Sequence, residues 1–170
     1  MTITIRQAGA HDTESIAELW TEASRWLASR GYSQWQYPVR IDGIARDVAA
    51  GTVWLAEHDN GELVGTITID STSSSGLWRP EELVDAIIIH RFVVRRRYTG
   101  CGIGARLLQH AEDIGRQHAR RWIRLDAWTD NTDLHRYYRR AGFRFVRVAD
   151  TSQLPSPARR SAALFERRIP

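Results

Sequence analysis

Hydrophobic residues follow two different spacings in the middle of the chain. Residues Ala86–Val94 form an almost unbroken apolar run of Ile, Val and Phe, as expected for a strand that is buried on both faces. After a glycine-rich segment, apolar residues recur at the three- and four-residue intervals of a helix: Leu107, Leu108, Ala111 and Ile114. The pattern therefore predicts a strand, a turn and a helix in direct succession.

The preceding part of the chain predicts two helices and three strands. Residues Thr2–Gln7 alternate β-branched and polar side chains, which is typical of a strand. A helix then begins at Asp12 or Thr13, either of which can cap it, and ends by Gly31. The remaining predicted elements are a helix over Ile41–Ala50 and strands over Thr52–His58 and Glu62–Ile69, joined by the tight turn Asp59-Asn60-Gly61.

The part that follows predicts three strands and one helix. The predicted elements are a strand over Trp122–Ala127, a helix that opens at Asp130–Asp133 and is closed by Gly142, and strands over Phe143–Val148 and Ala162–Arg168. Loops are predicted over Asp70–Pro80 and Leu154–Pro157. The order β, α, α, β, β, β, α, β, α, β, β predicts a mixed α/β fold, with a central, mostly antiparallel sheet and helices on both faces. One domain spanning residues 1–170 accounts for the length.

Composition excludes several classes of function. All 24 basic residues are Arg, and the 20 acidic residues are interspersed among them, so a compositional bias explains the pI better than a nucleic-acid surface does. Without Lys, no phosphate loop ending in Gly-Lys-Ser/Thr can form. A single cysteine, Cys101, excludes an internal disulfide and a zinc site built on several cysteines, and no metal site is predicted. The start of the chain lacks a signal peptide, and no apolar run is long enough for a membrane span, so we expect a cytoplasmic protein.

The glycine-rich turn is the strongest candidate for a binding site. Gly100, Gly102 and Gly104 allow positive φ and a close approach of the backbone to a ligand, and the following helix start presents unpaired N–H groups to an anion. The spacing Gly100-x-Gly102-x-x-Ala105, with Asp126 closing the next strand, also fits a loose dinucleotide fingerprint. Four predicted strands precede this turn, however, and too few residues follow it, which argues against a dinucleotide fold.

Two motifs give the chain a family resemblance. The first is Thr99-Gly100-Cys101-Gly102-Ile103-Gly104, and the second is Asn131-x-x-Leu134-x-x-x-Tyr138-x-x-x-Gly142-Phe143. They resemble the Gln/Arg-x-x-Gly-x-Gly/Ala turn and the Asn-x-x-Ala-x-x-x-Tyr-x-x-x-Gly-Phe helix of the GNAT superfamily of acetyl-CoA-dependent N-acetyltransferases. Thr99 and Leu134 depart from these patterns. The resemblance extends from Arg91 to Val146, and the order of elements fits that fold over nearly the whole chain.

The resemblance implies how acetyl-CoA is bound. In this fold the two strands that end here near Val94 and Ala127 separate, and the pantetheine arm pairs with the backbone between them. Backbone amides of the turn hold the pyrophosphate. The residues implied in binding the cosubstrate are Phe92, Val93, Val94, Gly100, Cys101, Gly102, Ile103, Gly104, Ala105, Asn131 and Tyr138. A nucleophilic role for Cys101 is disfavoured, because the sequence shows no His or acidic partner at a suitable spacing.

The resemblance also implies direct attack of an amine on the thioester, without a covalent enzyme intermediate. Tyr138 is the candidate acid that protonates the departing thiolate, although it could instead only pack on the helix face. Asp126 is the candidate base, and the alternatives are a water chain or the side chains Glu57, Asp85 and His90.

The sequence does not decide the identity of the acceptor amine. The aromatic segment Leu27–Pro38, with Trp78 and Trp128, favours the primary amine of a small molecule, whereas a peptide N-terminus or a lysine is the alternative. The rings of this segment could equally pack back onto the domain. The oligomeric state, including a homodimer, is also open.

Overall fold

The protein was analysed as a computed structural model that describes residues 2–71, 76–154 and 160–170. Parts of both predicted loops, residues 72–75 and 155–157, lie outside these described residues. The chain forms two compact units. The first contains the residues up to Ile69 together with His90–His110, and the second contains Asp70–Ile89 and the residues from Ala111 onward. Each unit therefore combines segments that are distant in sequence.

The predicted fold class is confirmed: seven strands form one mixed sheet, in the order β1-β2-β3-β4-β5-β7-β6, and helices accompany it. The strands are β1 (Ile3–Gln7), β2 (Val53–His58), β3 (Leu63–Asp70), β4 (Ala86–Val94), β5 (Trp122–Trp128), β6 (Arg144–Val148) and β7 (Ser161–Arg168). The α-helices are α1 (Thr13–Ser29), α2 (Ile41–Ala49), α3 (Pro80–Leu83), α4 (Ile103–Gln117) and α5 (Thr132–Arg140). Within the described part of the chain, no helix is long and apolar enough to span a membrane.

In the first unit, α1 and α2 pack on an antiparallel sheet. β1 pairs with β2 from Ile3 opposite His58 to Gln7 opposite Trp54, and β2 pairs with β3. The predicted apolar stripe of α1 supplies much of the core, because its side chains recur with helical spacing on one side. The core cluster consists of Ile16, Ala17, Leu19, Ile44, Val48, Val53, Leu55, Leu63 and Val93.

In the second unit, β7 lies between β5 and β6 and is antiparallel to both. β4 and β5 run parallel, with Ala86 opposite Trp122 and Ile88 opposite Arg124. The predicted loop after β3 ends differently than expected. Leu77 and Trp78 are buried in a hydrophobic cluster with Ile88 rather than lying on the surface, and Pro80 begins the short helix α3.

The N-cap residues of α5 and α1 are used differently. Asn131 caps α5, since its side-chain oxygen accepts the Leu134 N–H at 3.0 Å. Asp12 occupies the N-cap position of α1, but its carboxylate accepts the Gly9 N–H at 2.7 Å and pairs with Arg6 at 2.8 Å. The Asp12 side chain therefore ties the start of α1 to β1 instead of capping the first helical turn.

Candidate active site

The glycine-rich turn leads directly into α4, as the sequence predicts. Gly100 and Gly102 have φ values of 84° and 77°, in the left-handed region that side chains rarely adopt. A Cβ at either position would meet no described atom within 4 Å. Both glycines are therefore required by backbone conformation rather than by crowding, and the space beside them is open to a ligand.

The start of α4 has the form of an anion site. Arg106 N–H donates to the Gly102 carbonyl at 3.1 Å, which makes Gly102 the N-cap residue. The amides of Ile103, Gly104 and Ala105 therefore precede the first helical hydrogen bond, and they suit a phosphate group. The Cys101 amide differs from this expectation, because it donates to the Tyr98 carbonyl at 3.1 Å and so stabilises the turn itself.

Arginines flank this turn. Arg95 pairs with Glu22 at 2.6 Å and with Glu62 at 3.2 Å, so carboxylates already neutralise it. The Arg96 guanidinium lies 3.6 Å from the ring centre of Trp26, and no ion pair is recorded for it within the described chain. Burial, together with the nearby Arg30, lowers its pKa. The residues present thus fit a polyanionic cosubstrate, with helix amides and one uncompensated cation beside them.

The end of β4 carries a strained residue. Arg91 has a φ of 42°, which is unusual for a residue other than glycine within a strand, and its guanidinium forms an ion pair with Asp47 of α2. Two residues on, Val93 is buried in the core, whereas its neighbours Phe92 and Val94 are half-buried. The three residues implied in pantetheine binding therefore follow directly on a local distortion of the strand.

Tyr138 lies in an aromatic cluster of the second unit and is only 6% exposed. Its ring centre lies 5.6 Å from that of Phe143, 5.8 Å from Phe165 and 5.5 Å from Tyr137. Burial raises the pKa of Tyr138 far above that of a free phenol, and the charges of Tyr137 and Asp126 act in the same direction. The hydroxyl therefore stays protonated at every physiological pH.

Asp126 is half-buried on β5, and its carboxylate accepts a hydrogen bond from the Ser161 hydroxyl at 2.5 Å. Its neighbour Leu125 lies opposite Phe165, on the face of the sheet where the Tyr138 ring packs. Because successive side chains of a strand point to opposite faces, Asp126 points to the other face. The candidate acid and base of the second unit thus lie on different sides of one strand.

Two of the alternative bases, Glu57 and Asp85, are held in ion pairs, whereas His90 and a water chain stay as alternatives. Glu57 pairs with Arg6 at 2.6 Å, and Asp85 pairs with Arg121 at 2.6 Å. Each carboxylate would have to break its ion pair with arginine before it could accept a proton. These contacts favour Asp126 over Glu57 and Asp85.

In the predicted aromatic acceptor segment, Leu27–Pro38, one ring is shown to pack on the domain. Trp35 stacks on Trp20 of α1 with ring centres 4.1 Å apart, so the interpretation that its rings return to the domain holds for this residue. Trp78 and Trp128 are also buried, at 2% and 3% exposure. Tyr37, by contrast, is 36% exposed. The tryptophans named from the sequence are therefore mainly structural.

Sequence reasoning missed a cavity of about 670 Å³ in the first unit. The polar face of α1 forms one wall, while Val39, Ile41 and Arg95 contribute from other segments. Its lining residues are Glu14, Ala17, Glu18, Thr21, Glu22, Arg25, Val39, Ile41 and Arg95. The four-residue spacing of Glu14, Glu18 and Glu22 was the signal available in the sequence.

Comparison with known proteins decides the family. The sequence pattern of the Acetyltransferase (GNAT) family matches residues 13–143, which is most of the chain and includes α1, the glycine turn and α5. The chain belongs to the GNAT family. GNAT enzymes transfer an acetyl group from acetyl-CoA, so this protein is an acyltransferase with acetyl-CoA as its cosubstrate, and the predicted family and enzyme class are confirmed.

Individual GNAT relatives agree with this assignment. The chain is 34% identical over 141 residues to the uncharacterized N-acetyltransferase YesJ of Bacillus subtilis, covering 79% of this chain and 78% of the relative. It is 32% identical over 117 residues to N-alpha-acetyltransferase 40 of Saccharomyces cerevisiae, covering 62% of this chain and 41% of that protein. A crystal structure of a GNAT acetyltransferase from Listeria monocytogenes superimposes with a TM-score of 0.79 at 25% identity, covering 98% and 95% of the two chains.

Proposed function

We propose that this GNAT enzyme acetylates the primary amine of a small molecule by direct attack within a ternary complex. The cavity beside α1 is the observation that supports a small-molecule acceptor, since its volume of about 670 Å³ lies in the range of small-ligand sites. Its wall combines charged side chains with the apolar Ala17, Val39 and Ile41. Such a lining suits a compact amine with an apolar body. The single exposed thiol, Cys101, suits a reducing compartment, and we propose the cytoplasm.

In the proposed reaction, the amine nitrogen attacks the thioester carbonyl, the C–N bond forms, and the C–S bond then breaks. The amides of Ile103, Gly104 and Ala105, with Gly100 and Gly102 shaping the turn, hold the pyrophosphate. The backbone of Phe92, Val93 and Val94 aligns the pantetheine arm, and Asn131 supports the cosubstrate from the start of α5. A fixed backbone N–H of β4 stabilises the developing oxyanion.

Two side chains carry the protons. Tyr138 gives its proton to the departing CoA thiolate. Its raised pKa keeps the phenol protonated until that step but also makes it a weaker acid, so its place in the α5 motif, and not its pKa, carries this assignment. Asp126 removes the proton of the incoming ammonium, directly or through water. The hydrogen bond from Ser161 holds the Asp126 carboxylate in one orientation.

A second candidate acceptor is a peptide N-terminus. The relationship to yeast N-alpha-acetyltransferase 40 favours it, because that protein is named for acetylation at α-amino groups. The match spans less than half of that relative, however, and the volume of the cavity beside α1 lies in the range of small-ligand sites. We therefore give priority to small amines.

The test is a thiol-release assay with acetyl-CoA and two acceptor panels, one of small primary amines and one of peptides with free N-termini. We expect saturable turnover with small amines. Saturable turnover with peptides alone would transfer the proposal to peptide acetylation.

The donor site has its own control within this experiment. Gly102→Val forces a side chain into the left-handed region at the helix start, and we expect acetyl-CoA to bind more weakly. Gly61→Val imposes the same kind of strain in the β2–β3 turn, where φ is 83° and the space beside the glycine is equally open. Protection of Cys101 from alkylation measures occupancy, since the chain has no other cysteine. Equal labelling with and without CoA would contradict the proposed donor site.

A further inference from the structure

The backbone of β4 is irregular at Arg91, directly before the segment implied in pantetheine binding. Arg91 has a φ of 42°, whereas the residues of a regular strand have strongly negative φ values. A positive φ costs free energy in a residue that carries a Cβ, so it persists only where the surrounding structure holds it. The contacts of Arg91 therefore show what keeps this part of β4 irregular.

The Arg91 side chain is held by one face of α2. Its guanidinium donates to the carboxylate of Asp47, and the two side chains are 28% and 33% exposed. Gly43 lies one helical turn before Asp47 on the same face, and a Cβ at Gly43 would lie 3.4 Å from Nη2 of Arg91. Ile44 and Val48 anchor α2 in the core of the first unit. The guanidinium thus passes the backbone of α2 at Gly43 and ends at Asp47, on a helix that is itself packed in place.

Gly43 is an unexpected residue within α2, which begins at Ile41 and ends at Ala49. Glycine weakens a helix relative to alanine, because it loses more conformational freedom on folding. The φ of Gly43 is not positive, so the helix backbone does not require glycine at this position. A side chain longer than that of alanine would meet the Arg91 guanidinium. Room for that guanidinium therefore explains the glycine.

The irregular residue lies where β4 enters the proposed donor site. The recorded pairing of β4 with β5 runs from Ala86 to Ile88, three residues before Arg91. Phe92–Val94 follow directly, and in the proposed function their backbone aligns the pantetheine arm and supplies the N–H for the oxyanion. A change of φ at Arg91 would rotate the peptide groups that follow it. The conformation of Arg91 thus decides where these groups point.

We propose that Asp47 is a positioning residue of the donor site: together with Gly43 it holds Arg91 at a positive φ and so aligns the backbone of Phe92–Val94 with the thioester of acetyl-CoA. This inference rests on the proposed function, because it concerns the donor site of the same enzyme. Asp47 acts through Arg91 and carries no proton in the reaction. A partly exposed ion pair contributes little to stability, so the expected effect is on alignment rather than on folding.

The decisive comparison is between Arg91→Gly and Arg91→Ala. Both variants delete the guanidinium, but glycine adopts a positive φ freely and alanine does not. We expect Arg91→Ala to bind CoA about tenfold more weakly than Arg91→Gly, because each hydrogen bond to the pantetheine arm contributes a few-fold in affinity. ADP carries the pyrophosphate without a pantetheine arm, so both variants should bind it alike. Calorimetry with CoA and with ADP measures these affinities without any turnover, and unchanged binding of ADP shows that a variant is folded.

Activity gives a second readout of the same pair of variants. With acetyl-CoA as donor and n-butylamine as acceptor, kcat of Arg91→Ala should lie about 10²-fold below that of Arg91→Gly, the cost of a displacement of roughly 1 Å in a reacting complex. The KM for n-butylamine should be similar in both. A merely structural role of residue 91 would not separate kcat from KM in this way.

The role of Asp47 is tested by rescue. Asp47→Ala alone should weaken CoA binding, whereas in the Arg91→Gly background it should cause no further loss, because glycine at residue 91 needs no support. Gly43→Leu should act like Asp47→Ala, although leucine favours the helix, since its side chain takes the place of the guanidinium. Asp42→Ala is the control, because it removes an exposed carboxylate from the first turn of the same helix.

The outcomes separate this inference from the proposed function. Equal CoA affinity in Arg91→Gly and Arg91→Ala overturns the inference while acetyl transfer to small amines stands. A loss from Asp47→Ala that is the same in both backgrounds also overturns it, because Asp47 would then act independently of the conformation at residue 91. Failure of the proposed function shows instead as absence of turnover with every amine, and the binding of CoA by the same variants still decides the role of Asp47.

Discussion

Glutamate and arginine side chains are used differently in the β5–β7 region and in the cavity beside α1. In the former, Glu166 is 3% exposed and lies 2.8 Å from Arg124, which is itself 8% exposed, and Arg144 binds its other oxygen. In the latter, Glu14 and Glu18 are exposed and carry no recorded ion pair within the described chain. The first region uses its charges to fix the fold, whereas the second leaves two carboxylates exposed to solvent.

This contrast shows where function can be sought in a structure rich in arginine. A buried pair must be retained because removing one partner leaves the other charge without compensation. An exposed, unpaired carboxylate contributes little to stability, so it can be replaced with little effect on the fold. Burial and pairing, rather than residue type, separate the two uses.

The largest expected effect tests the paired region directly. Glu166→Gln removes the charge opposite Arg124, and we expect the free energy of unfolding to fall by about 3 kcal/mol, the range observed when one partner of a buried pair is removed. Glu18→Gln, the control from the cavity, should change it by less than about 0.5 kcal/mol. Urea denaturation of both variants measures the difference. A similar loss in both would remove the distinction between the two regions.

The second-largest expected effect concerns Tyr138, which is buried in an aromatic cluster and is also the candidate acid. Tyr138→Phe keeps the ring within its cluster with Phe143 and Phe165 and deletes only the hydroxyl. If the hydroxyl is the acid, kcat should fall by about 10²-fold, equivalent to about 2.7 kcal/mol, with little change in acetyl-CoA affinity. Steady-state kinetics and a binding titration measure the two quantities.

Tyr137→Phe is the matched control for this prediction. Tyr137 neighbours Tyr138 on α5 but is 40% exposed, so its hydroxyl should contribute little to either rate or stability. A small loss of kcat in both variants would leave Tyr138 with a packing role only. The acid would then have to be water or another side chain.

The sequence was informative wherever a residue's own conformation decides the structure. Gly100 and Gly102 adopt the positive φ that made them recognisable, Asn131 caps α5, and Gly142 has a φ of 85° after it. These features depend on neighbours within a few positions of the chain. A single sequence displays such neighbours directly, and for this reason the turn and the start of α5 could be predicted.

The features that the sequence did not reveal depend on distant partners. Trp78 is buried in a cluster that includes Leu164 of β7, and Glu82 of α3 pairs with Arg147 of β6. Arg95 pairs with Glu22, 73 positions earlier in the chain, and not with Glu18. The sequence alone does not show which of these glutamates forms the ion pair. Periodicity finds the polar face of α1, but which of its charges remain unpaired is a property of the folded structure.

The smallest expected effect concerns an ion pair of intermediate exposure, between Glu82 of α3 and Arg147 of β6. Hydrogen bonds from Arg147 lower the pKa of Glu82 from 4.5 to about 2, and the N–H of Arg79 acts in the same direction. Because the folded state depresses this pKa, the pair stabilises the protein fully above about pH 4.5, and the stabilisation is lost as the pH falls toward 2. After allowance for solvent screening, we expect a contribution of about 1 kcal/mol.

Arg147→Gln should therefore reduce the free energy of unfolding at pH 7 by about 1 kcal/mol, and the difference from wild type should shrink between pH 5 and pH 3. Arg136→Gln is the control, since its ion pair with Asp133 is exposed on both sides and should contribute almost nothing at either pH. Urea unfolding at pH 7, 5 and 3 gives the three comparisons. A difference that persists unchanged to pH 3 would mean that Arg147 stabilises the fold through its packing on Trp78, where its guanidinium lies 5.6 Å from the ring centre, and not through Glu82. In that case Arg147 would stabilise the fold through packing, and its charge would contribute nothing. Solvent exposure alone would then not predict whether an arginine acts through its charge or through its packing.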